Sequence, residues 1–271
     1  MVAPTGARTL VIVKLGGSVI TRKKEVERLR PKLLARLAGE VASVPEVPQV
    51  LLHGAGSFGH PGAVRFGLAR APEGGETPGG RARGAAIVAA EVRRLHLAVL
   101  RELVRAGAAP ASVPMATHAR NREGRLVALD ARPFSDALAH GLLPVSFGDV
   151  VPDEAWGASI LSADTIATEL AVALRPARVI FVSDVSGILE GPATGRRRAV
   201  PQVTEELVAS LRPPSGVADV TGGIRGKAEA MLAIARAGAD AGLISGLKDG
   251  ELPRAIRGES VYGSWARAGT G

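Results

Sequence analysis

TLVIVKLGGS, residues 9–18, is the stretch that decides the fold. Thr9–Leu15 is a short β-branched run with apolar residues on both faces of an extended chain, the pattern of a strand buried on both sides. It closes on Lys14-Leu15 and runs into Gly16-Gly17, where the backbone enters a tight loop. Pro31 suits a first helical position and Leu33, Leu34, Leu37 and Val41 recur at helical spacing, so Pro31–Ser43 reads as a helix. A second strand, Gln49–His53, again runs into glycines, Gly54-Ala55-Gly56-Ser57-Phe58-Gly59-His60, with a short helix expected from Pro61.

The same alternation continues downstream. Ala85–Arg105, Pro133–His140, Ser162–Leu174, Thr204–Leu211, Gly223–Ala237 and Leu252–Arg257 read as helices. Val113–Met115, Leu142–Phe147, Arg178–Ser183, Ala241–Ser245 and Ser260–Tyr262 read as strands, and Asn121–Val127 as a small hairpin. Ala71–Gly84, dense in Gly and Pro and without periodicity, reads as a mobile surface loop. Strands alternating with helices predict an α/β fold with a mainly parallel sheet covered on both faces. Ligands in such sheets gather at the carboxyl ends of strands, where the glycine loops fall.

The 271 residues are 46% hydrophobic and 22% charged, which fits one large domain whose first lobe ends near residue 150. The net charge of +8 comes mostly from arginines spread along the chain, with one short run at Arg196–Arg198 and no alternating aromatic residues. That distribution argues against nucleic acid as a partner and suits small anionic substrates. The absence of cysteine excludes a thiolate nucleophile and Cys-ligated metal. No signal-peptide core or long apolar run appears, so a cytoplasmic protein without a membrane partner is expected.

Five constellations carry candidate chemistry. Lys14-Leu15-Gly16-Gly17-Ser18 offers a lysine and backbone N–H groups to an anion, although glycines after a strand also serve as a plain turn. Gly54–Gly59 forms a second backbone nest with His60 at its rim. His53 reads as structural, and His96, His118 and His140 lack a partner pattern. Ser162-Ala163-Asp164-Thr165 opens a helix whose N-terminus favours anions. Asp184, in Ser183–Gly187, suits a nucleotide's polar groups, and Asp219–Lys227 is a glycine-rich turn feeding a helix that bears a lysine. Neither G-x-x-x-x-G-K-[ST] nor a complete dinucleotide fingerprint is present. Each piece alone is ambiguous; together they supply what phosphoryl transfer between two bound anions requires.

The ordered series KLGGS, HGAGSFGH, GDVV, SADT, SDVSG and DVTGGIRGK resembles the amino-acid-kinase family over nearly the whole chain. Within it the series is most similar to the branch whose acceptor is isopentenyl phosphate, with fosfomycin kinases alike in carrying the histidine of GSFGH. The resemblance implies a three-layer αβα sandwich, commonly a homodimer. Residues up to about 150 would bind the acceptor and about 151–271 would bind ATP. It implies Lys14 between the two substrates' phosphates, Lys23 on the transferring group, and Gly16, Gly17 and Ser18 cradling ATP. Gly56 would face ATP, while Gly54, Ala55, Gly59, His60 and Ala163 would shape the acceptor site. Asp164 would orient the lysines, Asp184 and Gly187 would flank the nucleotide, and Gly223 and Lys227 would contact its phosphates. Ile87 and Val88 are the candidate wall for an apolar tail. The resemblance further implies that the acceptor would be a small phosphate and that Mg2+ would arrive with ATP, consistent with the lack of a visible protein metal cage in the sequence.

Two departures from the family stand out: Ala55 and Ala163 occupy positions where relatives often have glycine. Their methyl groups strain the loops if φ is positive there and alter only pocket shape if it is not. A non-catalytic nucleotide sensor would keep Asp184 and Gly223 without needing Lys14, Lys23 and Asp164, so the joint presence of those three favours catalysis.

Overall fold

The computed structural model describes residues 9–22, 25–73, 77–190, 197–211 and 223–269. In chain order the elements begin with β1 (Val11–Leu15), α1 (Gly17–Ile20), α2 (Pro31–Ala42), β2 (Gln49–His53), α3 (Gly56–Arg65) and α4 (Pro78–Arg105). They continue with β3 (Pro110–Ser112), β4 (Ala119–Arg122), β5 (Arg125–Leu129), α5 (Arg132–Ala139), β6 (Leu143–Phe147), β7 (Asp149–Asp153), β8 (Gly157–Leu161) and α6 (Ala163–Leu174). The last are β9 (Arg178–Ser183), β10 (Leu189–Glu190), β11 (Arg198–Ala199), α7 (Glu205–Ser210), α8 (Gly223–Arg236), β12 (Asp240–Ser245), α9 (Glu251–Arg257) and β13 (Gly263–Ala266).

A seven-stranded sheet runs β13-β12-β9-β1-β2-β6-β3 and is parallel except for β13. β1 lies at its centre, in register with β2 on one side and β9 on the other. The alternation of β1 sorts the layers. Val11, Val13 and Leu15 face a core built with Leu34, Leu37 and Val41 of α2, Leu95 and Val99 of α4, and Leu252 and Ile256 of α9. Ile12 faces the opposite core, with Ile166 and Leu170 of α6 and Met231 and Ile234 of α8. This is an αβα sandwich whose sheet draws strands from both halves of the chain. A smaller sheet, β5-β4-β7-β8, packs beside it.

Four local expectations are corrected. The glycine segment after β2 is itself helical, α3 starting at Gly56 rather than at Pro61. Pro61 lacks the N–H that would bond the Ser57 carbonyl, and the Glu27 N–H takes that carbonyl instead at 3.1 Å. α4 begins at Pro78, inside the expected loop Ala71–Gly84, because the Thr77 side chain accepts the Gly80 N–H at 3.1 Å and caps it. Val113–Met115 is not a strand: β3 lies at Pro110–Ser112, and Pro114, without an N–H, ends the ladder ahead of a 3-10 turn at Met115–Thr117. The final strand lies at Gly263–Ala266 instead of Ser260–Tyr262, where Trp265 packs across Gly242, whose missing Cβ would lie 2.5 Å from the indole. The β7-β8 hairpin was not anticipated.

Candidate active site

The carboxyl ends of β1 and β2 bring the first two glycine segments into direct contact. A Cβ on Gly17 would sit 2.5 Å from Gly56 N and Cα, so the backbones touch with no room for a side chain. Gly56 has φ +50°, which favours glycine on conformation as well as space. Thr21 joins the two segments: its hydroxyl donates to the Gly17 carbonyl at 2.7 Å and accepts the Ser57 N–H at 3.0 Å. Gly54 completes the contact, its N–H bonded to the Leu15 carbonyl at 2.9 Å. Gly59 lies against the Ala55 methyl. His60 is half-buried in the second turn of α3, one turn beyond Gly56. Ala55 has φ −73°, and Ala163 opens α6 without a positive φ, so both alanines are accommodated without backbone strain.

Across the sheet, α6 and α8 cover the face that carries Lys14. Ser162 caps α6 by accepting the Thr165 N–H at 3.0 Å, which sets Asp164 in the first helical turn. Asp164 Oδ1 pairs with Lys14 Nζ at 2.6 Å and Asp164 Oδ2 with Lys227 Nζ at 2.7 Å. All three side chains are largely removed from solvent. Burial alone would raise the Asp164 carboxyl, but the charges of Lys14 and Lys227 outweigh it and hold the group well below the usual carboxylate range. Lys227 is pushed down to about 8 by burial and then by the Lys14 charge, with Asp164 opposing. The Lys227 ammonium also lies 5.0 Å from the centroid of the Phe181 ring. Two ammonium groups against one carboxylate leave a buried centre with positive charge to spare, a receptor for anions at the rim of the glycine segments.

Ser18 and Asp184 meet beside this centre, the Ser18 hydroxyl donating to Asp184 Oδ1 at 2.8 Å. Gly187 has φ +151° and packs its backbone against Ser264 and Ala199. Gly223 opens α8, one turn before Lys227. Ile87 and Val88 do not form one wall. Val88 is buried in the α3–α4 packing with Leu68, Val92 and Phe147, whereas Ile87 is 42% exposed. Lys23 and Asp219–Gly222 lie outside the described residues. Among the described residues, no three of His, Asp and Glu gather as a metal site, and no helix is long and apolar enough to cross a membrane.

Sequence reasoning passed over Thr21 and over the pair His53 and His96. The fully buried His53 Nε2 lies 3.1 Å from His96 Nδ1. A threonine four residues after a glycine carries no distinguishing signal, but a histidine ending an otherwise apolar strand at a glycine turn is a usable one.

This geometry defines a class, and the comparisons agree with it: the chain belongs to the amino acid kinase family, whose model matches residues 9–244. More particularly, it is similar to the isopentenyl phosphate kinase of Methanothermobacter thermautotrophicus, 31% identical over 94% of this chain and 98% of that protein. The isopentenyl phosphate kinase of Haloferax volcanii is 35% identical over 93% of this chain and 100% of that protein. A solved isopentenyl phosphate kinase structure superposes with a TM-score of 0.83 at 30% identity, covering 95% of this chain and 99% of that one. A product complex of the Thermoplasma acidophilum isopentenyl phosphate kinase gives 0.77 at 28% identity.

Proposed function

We propose that this chain transfers the γ-phosphoryl group of ATP directly to isopentenyl phosphate, yielding isopentenyl diphosphate and ADP. The observation that carries this reading is the Lys14–Asp164–Lys227 cluster, a buried centre with net positive charge beside two abutting glycine segments. It suits two phosphate groups brought end to end, where each would otherwise repel the other.

The acceptor phosphate is already anionic near neutral pH, so its attacking oxygen needs no strong base. Asp164, held far below the usual carboxylate range between two ammonium groups, is poorly placed to take a proton and acts by aiming the lysines. Lys14 sits between the two phosphates. Lys227, together with Gly223 at the start of α8, holds the nucleotide phosphates. Lys23 assists on the transferring group. Gly16, Gly17 and Ser18 cradle ATP with Gly56, and Asp184 and Gly187 flank the nucleotide. Ala55 presents its N–H, and His60 its imidazole, to the acceptor phosphate; the apolar tail runs toward α4, where Ile87 is open.

The single carboxylate of the cluster is committed to two lysines, so the donor set does not fit a protein-held metal. Mg2+ would instead come bound to the nucleotide and would supply shielding of phosphate charge. The part up to about residue 150 binds the acceptor, the remainder binds ATP, and the working form is a cytoplasmic homodimer.

A coupled ADP-release assay with isopentenyl phosphate, dimethylallyl phosphate and fosfomycin tests the reading. The highest kcat/KM is expected with isopentenyl phosphate. A clear preference for fosfomycin would move the assignment to a phosphonate kinase, and no ADP release with any of the three would end it.

A further inference from the structure

The sheet face opposite the lysine cluster buries two histidines for which the transfer chemistry has no use. His53 is the last residue of β2 and pairs in register with Leu15, whose side chain lies in the core under α2 and α4, so His53 faces α4. There its Nε2 lies 3.1 Å from Nδ1 of His96, and Nε2 of His96 lies 2.8 Å from the Ser112 hydroxyl on the edge strand β3. At the other end, His53 Nδ1 lies 3.2 Å from the carbonyl oxygen of Gly54. Phe147 packs on both rings.

Chemistry fixes the direction of every bond in this chain. A carbonyl oxygen accepts, so His53 Nδ1 carries the hydrogen and, in a neutral ring, Nε2 does not. His96 Nδ1 must then donate to His53, which leaves His96 Nε2 to accept from the Ser112 O–H. Both rings are neutral. Burial, the neighbouring His96 and Lys14 push His53 down to about 3; burial and Arg93 push His96 down to about 4. The charged neighbours are themselves engaged, Arg93 by the buried Asp149 at 3.1 Å and Lys14 by Asp164.

The far end of the chain reaches the proposed acceptor site. The Gly54–Ala55 peptide is planar and trans, so its N–H and its C=O point to opposite sides. A carbonyl drawn toward α4 turns the Ala55 N–H toward the face that bears Lys14 and Asp164. We infer that His53, His96 and Ser112 are positioning residues: a one-way chain of neutral imidazoles holds the Gly54 carbonyl on one face of the sheet and so aims the Ala55 N–H at the phosphoryl acceptor on the other. The acceptor half of this inference rests on the proposed function; the hydrogen-bond chain does not.

Nitrogen NMR of the histidine-labelled wild-type protein reads the chain without any substrate. His53 and His96 are both expected in the Nδ1–H tautomer, unchanged between about pH 5 and pH 8, whereas a free neutral histidine favours Nε2–H. Either ring in the Nε2–H form, or titrating in that range, overturns the inference. Kinetics then read its consequence. His96→Leu removes the donor to His53 and is expected to raise KM for isopentenyl phosphate about tenfold with KM for ATP within about twofold. His96→Asn, whose amide reaches where Nδ1 stands, should bring KM for the acceptor back to within about threefold of wild type. An Asn variant as impaired as Leu, a Leu variant with both KM values unchanged, or equal rises in both would contradict the positioning role. Ser112→Ala, at a surface site, should move the acceptor KM in the same direction by about twofold and serves if His96→Leu does not fold. Wild-type protein with the expected tautomers that releases no ADP with isopentenyl phosphate would reject the acceptor assignment and leave the hydrogen-bond chain standing.

Discussion

Two buried polar clusters flank the carboxyl ends of β1 and β2, one on each face of the sheet, and burial has opposite outcomes in them. On the α6–α8 face Lys14, Asp164 and Lys227 lie within ion-pair distance and Asp164 stays ionised, because two ammonium groups outweigh the cost of desolvation. On the α4 face His53 and His96 meet each other and give up their charge, because burial disfavours it and the neighbouring charges, Lys14 at His53 and Arg93 at His96, are cations that add to the penalty. The difference assigns the tasks. The charged cluster can stabilise phosphoryl groups, while the neutral one can only orient the backbone between them.

Breaking the charged cluster at Lys14, its proposed contact with both substrates, should have the largest effect. Lys14→Met is expected to lower kcat about a hundred- to a thousandfold while leaving both KM values within a few-fold, a split that steady-state kinetics resolves. Asp164→Asn keeps the shape but leaves two buried ammonium groups without a counter-charge. Urea denaturation should report a loss of about 3 kcal/mol. A variant as stable as wild type would mean that the carboxylate does not hold the lysines together.

The fold was legible where composition and pattern leave one solution. Thr9–Leu15 and Arg178–Ser183 are apolar on both faces, so they could only be central strands, and they pair with each other. The site was legible as separate pieces, KLGGS, SADT and the α8 lysine, because each combines a turn with an anion-receptive residue. What the sequence hid is tertiary. Glycines in GAGSFGH suggest a loop, and only the Glu27 N–H arriving from a distant segment shows how a helix tolerates Pro61. In DVVPDEAWGAS, Pro152 obscures a hairpin whose turn is organised by Asp153, which accepts the Ala155 and Trp156 N–H groups. His53 and His96 lie forty-three positions apart, and nothing local announces that they meet.

Two smaller effects sharpen the contrast between the clusters. His60→Ala is expected to raise KM for the acceptor about tenfold with ATP affinity nearly intact, measured by kinetics and nucleotide titration. Equal losses in both would remove His60 from the acceptor side. The pH dependence follows from Lys227, whose proton leaves the folded protein near pH 8 instead of 10.5. Between these values the unfolded chain holds more protons, so this group's contribution to stability rises with pH across that window. ATP phosphates favour the protonated lysine, so ATP binding should weaken as pH rises above 8, with proton uptake near pH 8. Calorimetry in buffers of different ionisation heat detects that uptake, and Lys227→Arg should flatten the profile.

Phosphorus NMR of the protein mixed with Mg–ATP and isopentenyl phosphate tests the transfer itself. Signals of ADP and of a new organic diphosphate should grow together in equal amounts. ADP accumulating with inorganic phosphate, or a spectrum that does not change, would contradict phosphoryl transfer between two ligands held at the Lys14–Asp164–Lys227 centre.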